Sequence, residues 1–262
     1  MKAGIILKKI VFFDIDGTLL DHEKKLPAST KKAIKDLQDK GVFVAIATGR
    51  APFMFEPLRE ELGIDSFVSF NGQFVVFENE VVYRNPLPRA ELTRIHQQAE
   101  NEQKAMVFMN DKTMKASVKG CERVTEALGT LRFPYPECSP EFYQENDIYQ
   151  ALLFTTVEED QQIIHEYDDL HFIRWHEFST DVLPAGGSKA EGIKRFIERT
   201  DFRMEDVYAF GDGLNDIEML GTVGHGIAMG NALDEVKKHA EFVTKNVDDS
   251  GILYGLKHMG LL

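Results

Sequence analysis

The sequence predicts an α/β protein in which a doubly wound, mostly parallel sheet is interrupted by a smaller α+β insert. Two observations predict this fold. Short apolar runs alternate with amphipathic helical segments near both ends of the chain, an order typical of a parallel sheet covered by helices. The middle of the chain lacks this regular alternation, and a Pro-rich segment at 85–88 marks where the change begins.

The first part of the sheet is predicted before residue 85. Apolar runs predict three strands, at Lys9–Phe13, Val42–Ala47 and Phe67–Phe70. Such continuous apolar runs are expected where both faces of a strand are buried. A helix is predicted after the first strand, starting near Pro27 with Ser29 or Thr30 as its N-cap. The remaining elements are a helix around Phe55–Leu62 and a hairpin formed by Gln73–Phe77 and Val81–Tyr83.

The insert is predicted to mix helices with strands. Helices are expected near Arg89–Gln103, Arg123–Leu128 and Val157–Tyr167, and strands near Ala105–Met109, Met114–Ser117, Ile148–Phe154 and His171–Trp175. The single tryptophan, Trp175, is expected in the core of the insert, and Leu183–Gly187 is interpreted as the linker that leaves it. The predicted domains are a core made of residues 1–84 and 184–262, and an insert made of residues 85–183.

The first pattern resumes after the insert. Ser188 is the expected N-cap of a helix with an apolar face, and Val207–Phe210 is the next buried strand. A helix, a strand, a helix, a short strand and a last helix follow, at Ile217–Leu220, Gly226–Met229, Leu233–His239, Phe242–Thr244 and beyond. The two halves together predict one Rossmann-like sheet built from two separate segments of the chain.

Charge and composition narrow the possible partners. The formal net charge is −13 over 262 residues, and no Lys/Arg-rich block is present. A nucleic-acid binder or a membrane-surface protein needs a basic footprint, so neither partner is expected. No apolar run approaches the roughly 20 residues that span a bilayer. Cys121 and Cys138 form no metal-ligand cluster, and two such thiols favour a cytoplasmic protein.

Four polar clusters are predicted at one edge of the sheet, outside the carboxyl ends of its strands, where open α/β sheets bind ligands. They are Asp14 with Asp16, Thr48, Lys189, and Asp212 with Asn215 and Asp216. Two carboxylates two residues apart can face one ligand. Carboxylate and amide oxygens suit Mg²⁺, and a lysine in the first turn of a helix attracts an anion.

Each cluster has a simpler explanation when it is taken alone. The Asp residues can form turns, Lys189 can be a solvated surface lysine, and Thr48 can serve ordinary turn chemistry. Asp-x-Asp is also the metal motif of nucleotide-sugar transferases, but that alternative does not predict the other three clusters. The convergence of all four therefore favours a site for phosphate and Mg²⁺.

The chain resembles the haloacid dehalogenase-like (HAD) superfamily, and within it the Cof-type phosphatases with a large inserted cap of type IIB. The matching motifs are DIDGTLLD (14–21), ATGR (47–50), SFNG (69–72), GGSKAEGI (186–193), AFGDGLNDIEML (209–220) and GHGIAMGNALDEVK (224–237). They follow the order of the family and cover nearly the whole chain. One departure is Ser250, where the family more often has an acidic residue, outside the catalytic motifs.

The resemblance implies a Mg²⁺-dependent phosphatase that hydrolyses a small phosphorylated metabolite, by default a sugar phosphate. It implies that Asp14 is the nucleophile and that Asp16 is first a general acid and then a general base. Phosphate binding is implied for Ile15, Asp16, Thr48, Gly49, Lys189 and Asn215, metal binding for Asp14, the carbonyl of Asp16 and Asp212, and supporting roles for Arg50, Asn71 and Asp216. A phosphomutase, or a non-catalytic module that binds phosphometabolites, remains an alternative on the same fold.

Overall fold

The computed structural model describes residues 8–262. The strands are β1 (Ile10–Phe13), β2 (Phe43–Ala47), β3 (Phe67–Ser69), β4 (Phe74–Phe77), β5 (Glu80–Arg84), β6 (Ala105–Met109), β7 (Met114–Ala116), β8 (Gln150–Phe154), β9 (Leu170–His176), β10 (Ser179–Pro184), β11 (Val207–Gly211), β12 (His225–Ala228) and β13 (Phe242–Val243). The helices are α1 (Ala28–Asp39), α2 (Glu56–Leu62), α3 (Arg89–Asn101), α4 (Glu122–Thr130), α5 (Phe142–Glu145), α6 (Val157–Ile163), α7 (Lys189–Ile197), α8 (Ile217–Thr222), α9 (Asp234–Lys237) and α10 (Gly251–His258). Within residues 8–262, every helix is too short or too polar to cross a bilayer.

The larger sheet has the strand order β13-β12-β11-β1-β2-β3-β4-β5. Pairing is parallel from β13 to β3, and only β4 and β5 run antiparallel to their neighbours. All four residues of β1 are buried, because this central strand is covered on both faces. On one face, the Phe12 ring packs edge-on against Phe196 of α7 with 5.2 Å between ring centroids. The predicted α/β fold with a mostly parallel sheet is confirmed.

The N-termini of α7 and α1 can be compared with the capping residues predicted for them. Ser188 precedes α7, and its hydroxyl accepts a hydrogen bond from the backbone N–H of Glu191 at 3.2 Å, as predicted. The prediction for α1 is wrong, since the helix already begins at Ala28 and its N-cap is Pro27. Thr30 lies inside the helix and is buried, so its side chain contributes to packing and not to capping.

The smaller sheet has the order β7-β6-β8-β10-β9, and all its neighbouring strands are antiparallel. With α3 to α6 it forms the α+β insert that the sequence predicts. The interpretation of Leu183–Gly187 as a linker is wrong in part, because β10 extends to Pro184 and pairs with β8 and β9. Polar residues at 179–181 interrupt the apolar run that would have revealed this strand.

The chain forms two compact units. The first contains the chain up to Arg50, Phe55–Arg84 and Ser188–Leu262, and the second contains Ala51–Met54 and Asn85–Gly187. Each has its own hydrophobic core. In the first unit it is built around the large sheet and α7, and in the second it joins α3 to one face of the small sheet.

Candidate active site

The candidate site lies at the carboxyl ends of β1, β2 and β11. β1 pairs in parallel with both other strands, and Phe13 stands opposite Ile46 and Phe210. The residues that follow these positions must therefore be neighbours. They include Asp14, whose backbone N–H donates to the Phe210 carbonyl at 3.0 Å. The topology of the sheet brings the clusters after β1, β2 and β11 to one edge.

Lys189, the first residue of α7, connects two of these clusters. Its side chain is only 1% exposed. The Nζ atom donates to Asp14 Oδ1 at 2.6 Å and to Asp216 Oδ1 at 2.7 Å. A lysine that might have been a solvated surface residue is thus buried between two carboxylates.

Asp216 uses both of its carboxylate oxygens within the site. While Oδ1 accepts from Lys189, Oδ2 accepts from the backbone N–H groups of Asp212 at 3.0 Å and Gly213 at 2.9 Å. These bonds hold the loop after β11 against the start of α7. Asp216 therefore positions Lys189 and Asp212 relative to each other.

Three carboxylates crowd together in this buried place. Asp14, Asp212 and Asp216 each offer an oxygen atom, and these atoms lie within 4.8 Å of one another. Burial raises the pKa of Asp14 to about 8 and that of Asp212 to about 6. Burial alone would lower the pKa of Lys189, but the charges of Asp14 and Asp216 raise it, so the ammonium stays protonated. One ammonium cannot balance three carboxylates, and the excess of oxygen ligands fits a divalent metal ion.

Two residues that the sequence interpretation did not select hold Asp212 in place. The Thr18 hydroxyl donates to Asp212 Oδ1 at 2.8 Å. The amide of Asn231 donates to Asp212 Oδ2 at 3.4 Å and to the carbonyl of Gly17 at 2.9 Å. Gly17 has a φ of +81°, and a Cβ atom there would lie 2.2 Å from Asp212 Oδ2, so only glycine allows this approach.

Asp16 faces a different set of partners. Arg50 donates to both of its oxygens, through Nε at 2.8 Å and through the second guanidinium nitrogen at 2.7 Å. Lys24 Nζ adds a third bond at 2.5 Å. Burial alone would raise the pKa of Asp16, but Arg50 and Lys24 lower it below its usual value. The carboxylate of Asp16 is therefore held ionised by two cations.

Hydrogen bonds beside β2 join three of the remaining residues selected from the sequence, Thr48, Asn71 and Asn215. The backbone N–H of Asn71 donates to the Thr48 carbonyl at 3.1 Å, and Asn215 Nδ2 donates to Asn71 Oδ1 at 3.0 Å. A Cβ atom at Gly49 would lie 2.9 Å from the Asn71 amide, so Gly49 permits this close packing. Ile15 is fully buried directly after Asp14.

Three residues of the site were missed, for different reasons. Thr18 lies inside DIDGTLLD and Asn231 inside GHGIAMGNALDEVK, so both were in recognised motifs and only their hydrogen bonds were unforeseen. Lys24 lies in no motif. Its contact with Asp16 depends on a loop in which Lys24 itself has a φ of +58°.

The chain matches the profile of a known protein family and a curated relative over almost its whole length. The profile of a family described as haloacid dehalogenase-like hydrolase matches residues 11–256. A Bacillus subtilis protein named "Putative phosphatase YkrA" is 52% identical over 254 residues, which cover 97% of this chain and 98% of that protein.

Two solved structures share the fold over almost their whole length. A hypothetical protein from Geobacillus kaustophilus is 55% identical with a TM-score of 0.94, covering 97% of this chain and 100% of that one. A sugar phosphatase of HAD subclass IIB, BT4131, is 30% identical with a TM-score of 0.86, again covering 97% of this chain and 100% of that one.

Proposed function

The chain belongs to the haloacid dehalogenase-like hydrolases, and we propose that it is a Mg²⁺-dependent phosphatase that hydrolyses small phosphorylated metabolites through an aspartyl-phosphate. The predictions of this superfamily and of a hydrolase are confirmed by the family match and by relatives that are named as phosphatases. The metal, the mechanism and the substrate class are proposals.

One observation carries the proposal. The buried ammonium of Lys189 contacts Asp14, while Asp212 lies within reach of the same carboxylate. Phosphoryl transfer needs an oxygen nucleophile together with cations that neutralise the charge on the phosphoryl oxygens. Asp14 offers the oxygen nucleophile and the ammonium of Lys189 offers one cation. Asp14 together with Asp212 can bind a metal ion that supplies a second.

The proposed reaction has two steps. A carboxylate oxygen of Asp14 bonds to phosphorus as the bond to the leaving oxygen breaks. Asp16, which Arg50 and Lys24 otherwise hold ionised, must first take up a proton from solvent, and it then gives that proton to the leaving oxygen. Asp16 then takes a proton from the attacking water, inorganic phosphate leaves, and the carboxylate of Asp14 is restored. Lys189, the Thr48 hydroxyl and the Asn215 amide are assigned to the phosphoryl oxygens, with the backbone around Ile15.

The carboxylates of Asp14 and Asp212 and the backbone carbonyl of Asp16 are the groups proposed to hold Mg²⁺. Asp216 is not needed as a direct ligand, because its two oxygens already accept hydrogen bonds from Lys189 and from the loop after β11. When bound, the ion supplies positive charge that lets the substrate phosphate approach the carboxylates. The same charge favours the ionised form of Asp14 and so counteracts the effect of burial on its pKa.

Sugar phosphates are the proposed substrate class. Their support comes from the similarity to a sugar phosphatase over 97% of the chain. Nothing in the carboxylate and lysine cluster itself selects a leaving group, since its contacts all serve the phosphate and the metal.

The first prediction tests this function. Purified protein should release inorganic phosphate from at least one member of a panel of sugar phosphates in Mg²⁺, and EDTA should stop the release until excess Mg²⁺ restores it. A phosphate-release assay checks both parts. Full activity in EDTA would remove the metal from the mechanism, and transfer of the phosphoryl group between sugars without free phosphate would identify a phosphomutase.

The second prediction concerns Thr18. Thr18→Val removes the hydrogen bond to Asp212 Oδ1 and should raise the Mg²⁺ concentration for half-maximal activity by about tenfold, as loss of a residue that orients a metal ligand typically does. Titration calorimetry with Mg²⁺ alone should show the same weakening. Thr200→Val is the control, since its hydroxyl bonds only backbone carbonyls near the end of α7. An unchanged Mg²⁺ affinity in Thr18→Val would contradict the assignment of Asp212 as a ligand.

A further inference from the structure

The second unit contains a cavity of about 330 Å³ beside the start of α3. Its lining residues come from two segments, 86–92 and 143–148, and both segments belong to this unit. The backbone N–H of Leu87 donates to the Ile148 carbonyl at 2.7 Å and holds the two segments together. Cavities that bind small molecules have volumes of roughly 300–1,000 Å³, so this one has room for a small metabolite.

Most of the cavity is lined by apolar side chains. Four of them belong to the hydrophobic core of the unit and are at most 5% exposed, namely Leu87, Leu92, Tyr143 and Ile148. The rings of two prolines, at 86 and 88, add apolar surface on a backbone whose φ they fix. A ligand that fits here must therefore place an apolar group against these side chains.

Two opposite charges without partners also line the cavity. Arg89 and Asp147 are both exposed. Among residues 8–262, neither side chain forms a hydrogen bond or an ion pair, with the other or with any third group. A cation and an anion that share one small cavity and do not pair with each other match a ligand that carries both charges.

Each of the two charges has polar groups beside it. Arg89 is the first residue of α3, and Pro88 provides no side-chain cap, so the first N–H groups of the helix add to the positive end of the cavity. Asn146, next to Asp147, donates through Nδ2 to the Phe142 carbonyl at 2.9 Å, while its Oδ1 has no partner within the described residues. The positive end suits a carboxylate, and the negative end suits an ammonium group.

Two further cavities show that such free charges are not simply a property of every cavity in this chain. A cavity beside α1 and α10 is lined by Lys32, which pairs with Asp36 in its own wall. A cavity beside α4 is lined by Lys104 and Arg123, and both of them pair with Glu159. These cations are already neutralised within the protein, whereas Arg89 is not.

We propose that the cavity beside α3 binds a free α-amino acid with an aliphatic side chain. The carboxylate of the ligand pairs with Arg89, and its ammonium group pairs with Asp147 and Asn146 Oδ1. The aliphatic side chain packs against Leu92 and Tyr143. A simple anion would be repelled by Asp147 and a simple cation by Arg89, so the two charges together select a zwitterion. The argument rests on the second unit alone and does not depend on the phosphatase function.

The experiment is titration calorimetry of the full chain with L-leucine and L-valine. Isocaproate, which lacks the ammonium group, and isoamylamine, which lacks the carboxylate, serve as comparison compounds. Saturable binding of L-leucine or L-valine, at least tenfold tighter than that of either comparison compound, is the expected result. The proposal is overturned if neither amino acid binds saturably, or if isocaproate or isoamylamine binds as tightly as the amino acids.

Calorimetry is used because the single tryptophan cannot report on this cavity. Trp175 is partly exposed and is not part of the core that lines the cavity, contrary to the expectation from the sequence. Its indole lies beside Asp181, which precedes the core residue Val182 on β10. Neighbouring residues of a strand face opposite sides of the sheet, so Trp175 lies on the side away from this core.

Two charge variants and two matched controls locate the binding. Arg89→Met and Asp147→Asn should each weaken L-leucine binding about tenfold, the effect of losing one charged hydrogen bond, without lowering Tm, because neither side chain has a protein partner. Lys119→Met and Asp168→Asn change exposed charges of the same unit outside the cavity and should leave the affinity unchanged. Equal L-leucine affinity in all four variants would overturn the site.

Discussion

Asp14→Asn should lower phosphate release by about 10⁴-fold or more, the scale seen when a catalytic nucleophile is removed. An amide nitrogen or oxygen cannot form the acyl-phosphate that the proposed first step requires. The change is close to isosteric, so Lys189 keeps a neutral polar neighbour at position 14 and its charged partner Asp216. Single-turnover and steady-state phosphate release measure the loss.

The stability of Asp14→Asn should not fall with its activity, and it should rise at high pH. Burial raises the pKa of Asp14 to about 8, so the folded state binds a proton that the unfolded state has released. Taking up this proton on folding costs more free energy as pH rises from about 4 toward 8, so the metal-free fold becomes less stable over this range. In EDTA, the Tm of Asp14→Asn should match or exceed that of the unmodified protein, and the difference should be larger at pH 8 than at pH 5.

Asp21→Asn is the matched control for both measurements. Asp21 lies in the same loop, and its Oδ1 accepts hydrogen bonds from the backbone N–H groups of Glu23 and Lys25. An asparagine oxygen can accept the same bonds, so activity should stay close to that of the unmodified protein. If Asp14→Asn released phosphate as fast as Asp21→Asn, another group would have to be the nucleophile.

Lys189→Met should reduce both activity and stability. Methionine keeps the length and burial of the side chain but leaves Asp14 and Asp216 without their shared ammonium. Breaking a buried ion pair in this way costs about 3–5 kcal/mol of the free energy of unfolding. Urea denaturation in EDTA measures this loss. The loss should be larger at pH 9 than at pH 5, because the unmodified protein ionises Asp14 only above its pKa of about 8, where the ammonium of Lys189 then stabilises the carboxylate.

Lys194→Met provides the comparison on the same helix. Lys194 is 41% exposed and pairs with Glu191, and a surface pair of this kind contributes about 0–1 kcal/mol. The phosphatase activity of Lys194→Met should equal that of the unmodified protein. Similar stability losses in the two variants would show that the charge of Lys189 is not needed to hold the carboxylates together.

Much of the candidate site follows from the order of elements in the chain. Continuous apolar runs identify β1, β2 and β11, and parallel pairing then forces the residues after them to one edge of the sheet. Asp14, Thr48 and Asp212 could be assigned to one edge on this basis alone. Lys189 could be added because Ser188 marks the start of α7.

The contacts of individual side chains could not be predicted in the same way. The pairing of Lys24 with Asp16 depends on a turn with positive φ, which no periodicity or propensity indicates for lysine. β10 was partly missed because its polar face interrupts the apolar pattern, and that polar face is the one carrying Ser179 and Asp181. The sequence rules failed where a turn or buried polar side chains, and not an apolar pattern, determine the local structure.

The ion pair between Asp16 and Arg50 suits the second of the two proposed steps better than the first. An aspartate kept charged by a bidentate guanidinium and by Lys24 is ready to accept a proton from water, but it is poorly suited to giving one away. An alkoxide leaving group must be protonated as it departs, whereas a weakly basic leaving group hardly needs a proton. To protonate the leaving oxygen of an ordinary sugar phosphate, Asp16 must therefore first weaken its contacts with Arg50 and Lys24. For such unactivated esters we expect this rearrangement, and not the attack by Asp14, to limit the rate.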